Sequence, residues 1–155
     1  MIIVSHRGNL SGRIPERENS PSYIEEAISA GYDVEIDVWF VDGQFYLGHD
    51  LPQYPVSSQW LCSKPLWCHA KNKDALDKMM GLEVNCFWHE TDKFTVTSDG
   101  FLWCFPGNFS GNGVTVDLSE EVKIPNHPCL GICTDVPVKW SFICNQKEKS
   151  FLTRL

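Results

Sequence analysis

Two carboxylates, Glu35 and Asp37, are the strongest candidates for chemistry in this sequence. They alternate with apolar residues, as in a buried strand, and side chains two apart on a strand share one face. Neighbouring carboxylates resist ionisation unless a cation lies between them. Oxygen ligands of this kind suit Mg²⁺ or Ca²⁺. The pair therefore predicts a metal site. Taken alone, the same two residues could also lie on a solvated face of a strand.

Further candidate groups stand where apolar runs end. His6 and Arg7 precede Gly8 at the end of the first run, and His49 follows a later one. Arginine makes bidentate contacts with phosphate, and histidine exchanges protons near neutral pH. Barrel enzymes build their active sites at the C-terminal ends of strands. We therefore expect these groups to meet at one edge of a sheet.

Short apolar runs separated by turn residues predict eight barrel strands with little helix between them. The predicted strands are 2–5, 32–40, 66–69, 84–89, 94–97, 101–105, 114–118 and 130–133, with 45–47 as a hairpin arm. Ser20 and Pro21 have the residue types that begin a helix, and Gly31 ends it. A second, short helix is predicted over 74–80, and 51–64 is expected to be a loop. The later connections are too short for full helical crossovers, which need about a dozen residues.

The order of these motifs resembles that of the glycerophosphodiester phosphodiesterase family, in the phospholipase C-like phosphodiesterase superfamily. The matching segments lie within residues 1–50, with a weaker echo at 131–137; they are His6-Arg7-Gly8, Glu18-Asn19-Ser20, Glu35-Ile36-Asp37 and Asp42-Gly43 through His49-Asp50. The resemblance implies an α/β fold, a compact, minimised TIM-type (β/α) barrel that occupies 1–155 as a single domain. Such barrels typically need about 250 residues, so we expect reduced helices in the second half.

The resemblance also implies an activity, the metal-dependent hydrolysis of glycerophosphodiester-like substrates to a phosphomonoester and an alcohol. Carried over by position, His6 and His49 would be the acid–base pair. Arg7 and Lys71 would hold the substrate phosphate. The implied partner is a small-molecule phosphodiester.

The implied metal ligands are Glu35 and Asp37, together with His69 where the family supplies a third carboxylate. The resemblance favours Mg²⁺ or Ca²⁺, whereas imidazole favours Mn²⁺ or Zn²⁺, so both choices stay open. His69 packing without a metal is the alternative for that residue. Three more side chains are candidate contacts at the same site: His89, Glu90 and Glu18.

Composition narrows the class of partner. The formal net charge is −7 and no basic cluster is present, which argues against nucleic acid. No apolar run approaches the roughly 20 residues of a transmembrane helix. The seven cysteines form no C-x-x-C pair and are typical of buried thiols in a reducing compartment, so a cytoplasmic location is predicted. A homo-oligomer stays open.

Two other functions fit the same residues. A shortened barrel could be a non-catalytic phosphoester-binding module, although binding alone needs neither His6 nor His49. It could also be a phospholipid headgroup lyase of the same superfamily, for which an apolar rim at the site would be expected. Asp117 and Asp135, near predicted strand ends, are interpreted as loop caps.

Overall fold

The structure is a computed structural model that describes residues 1–152, with side chains for 1–146. Within that range the strands are β1 (Ile2–His6), β2 (Asp33–Val41), β3 (Gln44–Leu47), β4 (Tyr54–Val56), β5 (Leu66–Ala70), β6 (Asn85–Phe87), β7 (Phe94–Val96), β8 (Leu102–Cys104), β9 (Gly113–Val116) and β10 (Gly131–Thr134). The helices are α1 (Pro21–Ser29), α2 (Ser58–Cys62), α3 (Lys73–Met79) and α4 (Pro137–Leu152).

All of these strands belong to one mixed sheet. Parallel pairing runs through β6, β5, β2, β1, β10, β9 and β8 in that order. Two antiparallel additions extend it, because β3 and β4 fold back from the far end of β2, and β7 pairs with β8. The carboxyl ends of the parallel strands therefore lie along one edge of the sheet, as the sequence predicted for its polar residues.

The predicted TIM-type barrel is wrong. The sheet is curled like half a barrel, and its strands do not alternate with helices. The reason lies in the connections of the second half: residues 105–112 and 117–130 cross between parallel strands without a helix, and an antiparallel hairpin links β7 to β8. In the described chain β6 pairs only with β5, so its other edge has no strand partner.

The curled sheet separates two apolar layers. Its inner face carries a cluster drawn from six strands: Val4, Trp67, Phe87, Trp103, Val114 and Cys133. On its outer face, Val34, Ile36 and Val38 of β2 pack beneath α1 and α3. Because side chains alternate along a strand, the residues between these outward positions, Glu35 and Asp37, must face inward. The hydrophobic alternation of β2 thus drives two carboxylates into the interior.

Two parts of the chain differ from the sequence-based expectation. The predicted loop 51–64 contains β4 and α2, and the Ser57 side chain caps α2 by accepting from the Trp60 backbone N–H. The final helix α4 was not predicted, and its Trp140 is fully buried against Ile132 and Val136. Among the described residues, every helix is too short or too polar to cross a membrane.

Candidate functional site

The two carboxylates of β2 lie deep in the concave face of the sheet. Glu35 is 2% exposed and Asp37 is fully buried. Burial and the nearby Asp37 charge raise the pKa of Glu35. Burial would also raise the pKa of Asp37, but His69, Arg7 and Lys71 outweigh that effect and hold it well below its usual range. Asp37 therefore has two permanent cations beside it, Arg7 and Lys71, whereas the nearest basic groups to Glu35 are the rings of His6 and His69.

His69 of β5 completes the cluster. In the β2–β5 register it lies beside Asp37, and its Nδ1 is 3.3 Å from Asp37 Oδ1 and 3.8 Å from Glu35 Oε1. Its Nε2 lies 2.8 Å from the backbone oxygen of His89, which can only accept a hydrogen bond. The Nε2 proton is thereby assigned, and a neutral His69 turns the lone pair of Nδ1 towards both carboxylates.

This arrangement fits a metal ion. One ligand atom from each of Glu35, Asp37 and His69 lies within 4.8 Å of the others. Glu35 Oε2 and Asp37 Oδ1 are buried and accept no hydrogen bond from residues 1–146. Either a proton on His69 Nδ1 or a cation must lie between these acceptors. In metal-bound histidines the nitrogen that does not bind the metal commonly donates to a carbonyl oxygen, as His69 Nε2 does to the backbone oxygen of His89. With two carboxylates and one imidazole, the donor set suits Mn²⁺ or Zn²⁺ better than Ca²⁺.

Arg7 and Lys71 flank the cluster. Arg7 Nε lies 2.9 Å from Asp37 Oδ2, and Lys71 Nζ lies 3.4 Å from Asp37 Oδ1. Burial lowers the pKa of Arg7, but the negative charges of Asp37, Glu35 and Glu18 raise it by more. Arg7 therefore stays charged. Arg7 adopts a positive φ of 55°, a strained conformation that turns the chain sharply after β1. Arg7 and Lys71, the two cations expected to bind the substrate phosphate, thus both contact Asp37, one of the predicted metal ligands.

Gly8 explains the third position of the first motif. Its φ is +91°, and a Cβ there would lie 3.0 Å from the Tyr23 ring of α1. Glycine alone meets both requirements without strain. The close approach of α1 at this point keeps the turn that carries Arg7 in place.

A network of polar side chains around Glu18 and Asn19 holds Arg7 and Asp37 in place. Glu18 accepts from Arg7 Nη1 at 3.3 Å and from Arg13 Nε at 2.9 Å. Burial would raise the pKa of Glu18, but its hydrogen bonds with Arg13 and Asn9 and the charge of Arg7 lower it overall. Asn19 donates to Asp37 Oδ2 and accepts from the Asp37 backbone N–H, both at 2.9 Å. Glu18 therefore orients the Arg7 guanidinium by direct contact, and Asn19 fixes the Asp37 carboxylate.

His6 is held by a carboxylate that sequence reasoning misassigned. Asp135, interpreted there as a loop cap, lies 2.7 Å from His6 Nδ1 and also accepts from Asn9 Nδ2 at 2.8 Å. An ionised carboxylate only accepts, so His6 donates from Nδ1 and its Nε2 faces Glu35 Oε2 at 3.8 Å. The available signal was positional, because Asp135 directly follows β10 and His6 ends the parallel neighbour β1.

His49 lies apart from the cluster. Its side chain is 44% exposed and its Nδ1 is 2.7 Å from Asp50. It lines a pocket of about 240 Å³ whose wall includes Arg7 and Asn19, both in contact with Asp37. Gly48 places it there, because a Cβ at that residue would lie 2.1 Å from the Leu51 backbone oxygen. His49 therefore shares a pocket with Arg7 but lies apart from Glu35 and Asp37.

The two remaining candidates, His89 and Glu90, differ in their distance from the cluster: His89 contacts it and Glu90 does not. His89 accepts from His69 through its backbone oxygen, while its own Nδ1 is buried and has no hydrogen-bond partner in the part of the chain that the structure describes. Burial, and the His69 ring when it is protonated, lower the pKa of His89, which favours a neutral ring. Glu90 is exposed, and no contact joins it to the cluster among the described residues.

Comparisons of this chain with models of protein families, with curated proteins and with solved structures gave no match. The interpretation of the site therefore depends on its own geometry.

Proposed function

We propose that this chain is a phosphodiesterase that uses a divalent metal held by Glu35, Asp37 and His69. The observation that carries the proposal is the convergence of His69 Nδ1 on two buried carboxylates, with Nε2 committed to a backbone oxygen. In this geometry Arg7 and Lys71 pair directly with Asp37, and Glu35 has only the rings of His6 and His69, each at 3.8 Å, as direct basic neighbours among the described residues. A bound divalent cation would supply positive charge beside Glu35 and would polarise a phosphoryl oxygen of the substrate.

The cations around the cluster favour a phosphate over other anions. Arg7 and Lys71 approach Asp37 from separate strand ends, so the site would present two positive groups as well as the metal. An arginine beside a metal can hold a phosphate oxygen through a charge-assisted hydrogen bond. Charge that develops on the phosphoryl oxygens would be stabilised by these fixed groups, which need no reorganisation during the reaction.

Two histidines would move the protons. Water would form the new P–O bond and give up a proton to Nε2 of His6, whose ring Asp135 orients through Nδ1. The P–O bond to the alcohol would break, and His49, on the exposed side of the Arg7 pocket, would protonate the departing oxygen. Water and the diester would thus become a phosphomonoester and an alcohol.

Hydrolysis of bis(4-nitrophenyl) phosphate and of glycerophosphocholine tests this proposal. Purified protein would be assayed in EDTA and with Mg²⁺, Ca²⁺, Mn²⁺ or Zn²⁺ added back. We expect metal-dependent turnover that falls at least about 100-fold in His6→Ala and His49→Ala, since general acid–base groups typically contribute 10²–10⁴-fold. His127→Ala is the matched control, because His127 is exposed and contacts Phe109 away from the cluster.

The non-catalytic binding module remains the competing function. It would bind inorganic phosphate or a phosphodiester in a metal-dependent way and would turn over neither substrate. Well-folded protein with that behaviour would reject hydrolysis and retain the metal site. Turnover that is equal in wild type, His6→Ala and His49→Ala would reject the assignment of both histidines.

A further inference from the structure

Gly48, the residue before His49, is held by the strand that carries the two carboxylates. Its N–H donates to the Asp37 backbone oxygen at 3.1 Å, one residue beyond the last pair of β2 and β3. In a regular antiparallel ladder the Asp37 N–H would return a hydrogen bond to the Gly48 oxygen. That N–H donates instead to Asn19 Oδ1 at 2.9 Å. The Gly48 oxygen therefore loses its usual partner in the ladder.

The indole of Trp39 supplies the donor that the ladder lacks. Its Nε1 donates to the Gly48 oxygen at 2.7 Å. Trp39 follows Glu35 and Asp37 at the next position on the same face of β2, since side chains two apart on a strand share one face. One strand therefore carries the two carboxylates and also the side chain that fixes the residue before His49.

The turn that carries His49 is short and closed. The Gln53 N–H donates to the Leu47 oxygen at 2.9 Å, so the two ends of the turn lie together. His49 Nδ1 lies 2.7 Å from Asp50, and because an ionised carboxylate only accepts, the proton of this bond belongs to Nδ1. Nε2 is then the nitrogen available to exchange a proton with a substrate. Its position depends on where the backbone of the turn is held.

We propose that Trp39 is a positioning residue for proton transfer, which holds the Gly48 carbonyl and thereby places the His49 ring beside the Arg7 pocket. The inference rests on the proposed phosphodiesterase function, because that function assigns protonation of the departing alcohol to His49. A misplacement of about 1 Å can lower a rate by about 100-fold. Loss of the indole donor should therefore slow the step that needs His49 and leave the metal cluster intact.

The variant Trp39→Phe removes the indole N–H and keeps an aromatic ring. Glycerophosphocholine loses an alkoxide, which needs a proton in order to leave, whereas bis(4-nitrophenyl) phosphate loses a nitrophenolate, which is a stable anion. We expect kcat to fall at least about tenfold with the first substrate and less than about threefold with the second. KM and Mn²⁺ affinity in calorimetry should stay within about twofold. Trp60→Phe is the matched control, since this half-buried tryptophan packs on the outer layer, and it should change neither rate.

A double variant separates positioning from a merely structural role. If Trp39 acts through His49, adding Trp39→Phe to His49→Ala should lower glycerophosphocholine turnover by less than about twofold more, because the group that it positions is already absent. A further loss as large as in the wild-type background would overturn the inference. Equal losses with the two substrates in Trp39→Phe would overturn it as well.

Crystal structures of wild type and Trp39→Phe in one crystal form test the inference without turnover. We expect His49 Nε2 to move at least about 1 Å relative to Asp37, while Glu35 and His69 stay in place. An unmoved His49 would overturn the inference whatever the activity. A moved His49 in a protein whose wild type turns over neither substrate would overturn the proposed hydrolysis and leave Trp39 as the residue that places His49.

Discussion

Replacing Glu35 with glutamine should stabilise the metal-free protein. The side chain is 2% exposed, and its pKa is raised by burial and by the charge of Asp37. Holding it ionised at neutral pH therefore opposes folding. Glutamine keeps the shape of the side chain and removes the charge. The same substitution should abolish stabilisation by Mn²⁺, because a ligand oxygen with its charge is lost.

The size of this effect has an upper limit. Each unit by which folding raises a carboxyl pKa costs about 1.4 kcal/mol of unfolding free energy at pH values above the folded pKa. At pH 7 the cost cannot exceed about 3.7 kcal/mol, because beyond that limit Glu35 takes up a proton instead. We expect Glu35→Gln to gain about 1–3 kcal/mol, or about 2–10 °C in Tm for a chain of this length.

The pH dependence of stability tests the sign of the predicted effect. Because the folded pKa of Glu35 is raised, wild-type stability falls as pH rises from the unfolded pKa, about 4.3, towards the folded one. The gain from Glu35→Gln should therefore vanish below about pH 4 and grow as the pH rises above the unfolded pKa. Asp37→Asn is the matched control with the opposite sign, since the pKa of Asp37 is lowered and its charged form supports folding.

Thermal melts of both variants in EDTA, from pH 4 to pH 8, would measure this. A loss of stability in Glu35→Gln at pH 7, or Mn²⁺ stabilisation as large as in wild type, would refute the reasoning.

Three further predictions concern the neighbours of the cluster. Asp135→Asn should lower kcat at least about tenfold with little change in KM or metal affinity, whereas Asp117→Asn should change none of them; equal effects of the two would show that Asp135 does not act through His6. His69→Glu should shift the metal preference in calorimetry from Mn²⁺ or Zn²⁺ towards Mg²⁺ or Ca²⁺, and an unchanged preference would mean that His69 is not a ligand. Asn19→Ala should lose about 2–4 kcal/mol in urea unfolding, because it removes two buried hydrogen bonds to Asp37 from a residue at φ 62°; a loss below 1 kcal/mol would argue against that role.

Local periodicity was enough to predict the central features of the site. Alternation along one strand puts Glu35 and Asp37 on the same inward face. The same rule puts His69 of β5 on the side of Lys71, which directly follows that strand. The turn motifs were also informative, because Gly8 and Gly48 hold conformations that place Arg7 and His49.

Long-range pairing was not accessible in the same way. The contact between His6 and Asp135 joins residues 129 apart in the chain, and it exists because β10 lies beside β1 in register. No local pattern states which strand will be that neighbour. The curvature of the sheet has the same origin, since it depends on how six strands share one inner cluster.

The missed elements have local explanations. Residues 51–64 contain prolines and serines, which suggested a loop, but Ser57 is a helix cap. Pro55 lies on β4, which within the described residues is an edge strand paired only with β3, where a proline is tolerated. The start of α4 carried a usable signal in Pro137, because proline is favoured in the first turn of a helix.

Crystals of the protein soaked in Mn²⁺ and measured near the manganese absorption edge would test the central claim most directly. We predict one anomalous peak within about 2.3 Å of a Glu35 oxygen, an Asp37 oxygen and His69 Nδ1, with Nε2 still bonded to the His89 oxygen. The absence of a peak there in fully soaked crystals, or a peak bound without His69 and Glu35, would contradict the metal site and the phosphodiesterase built on it.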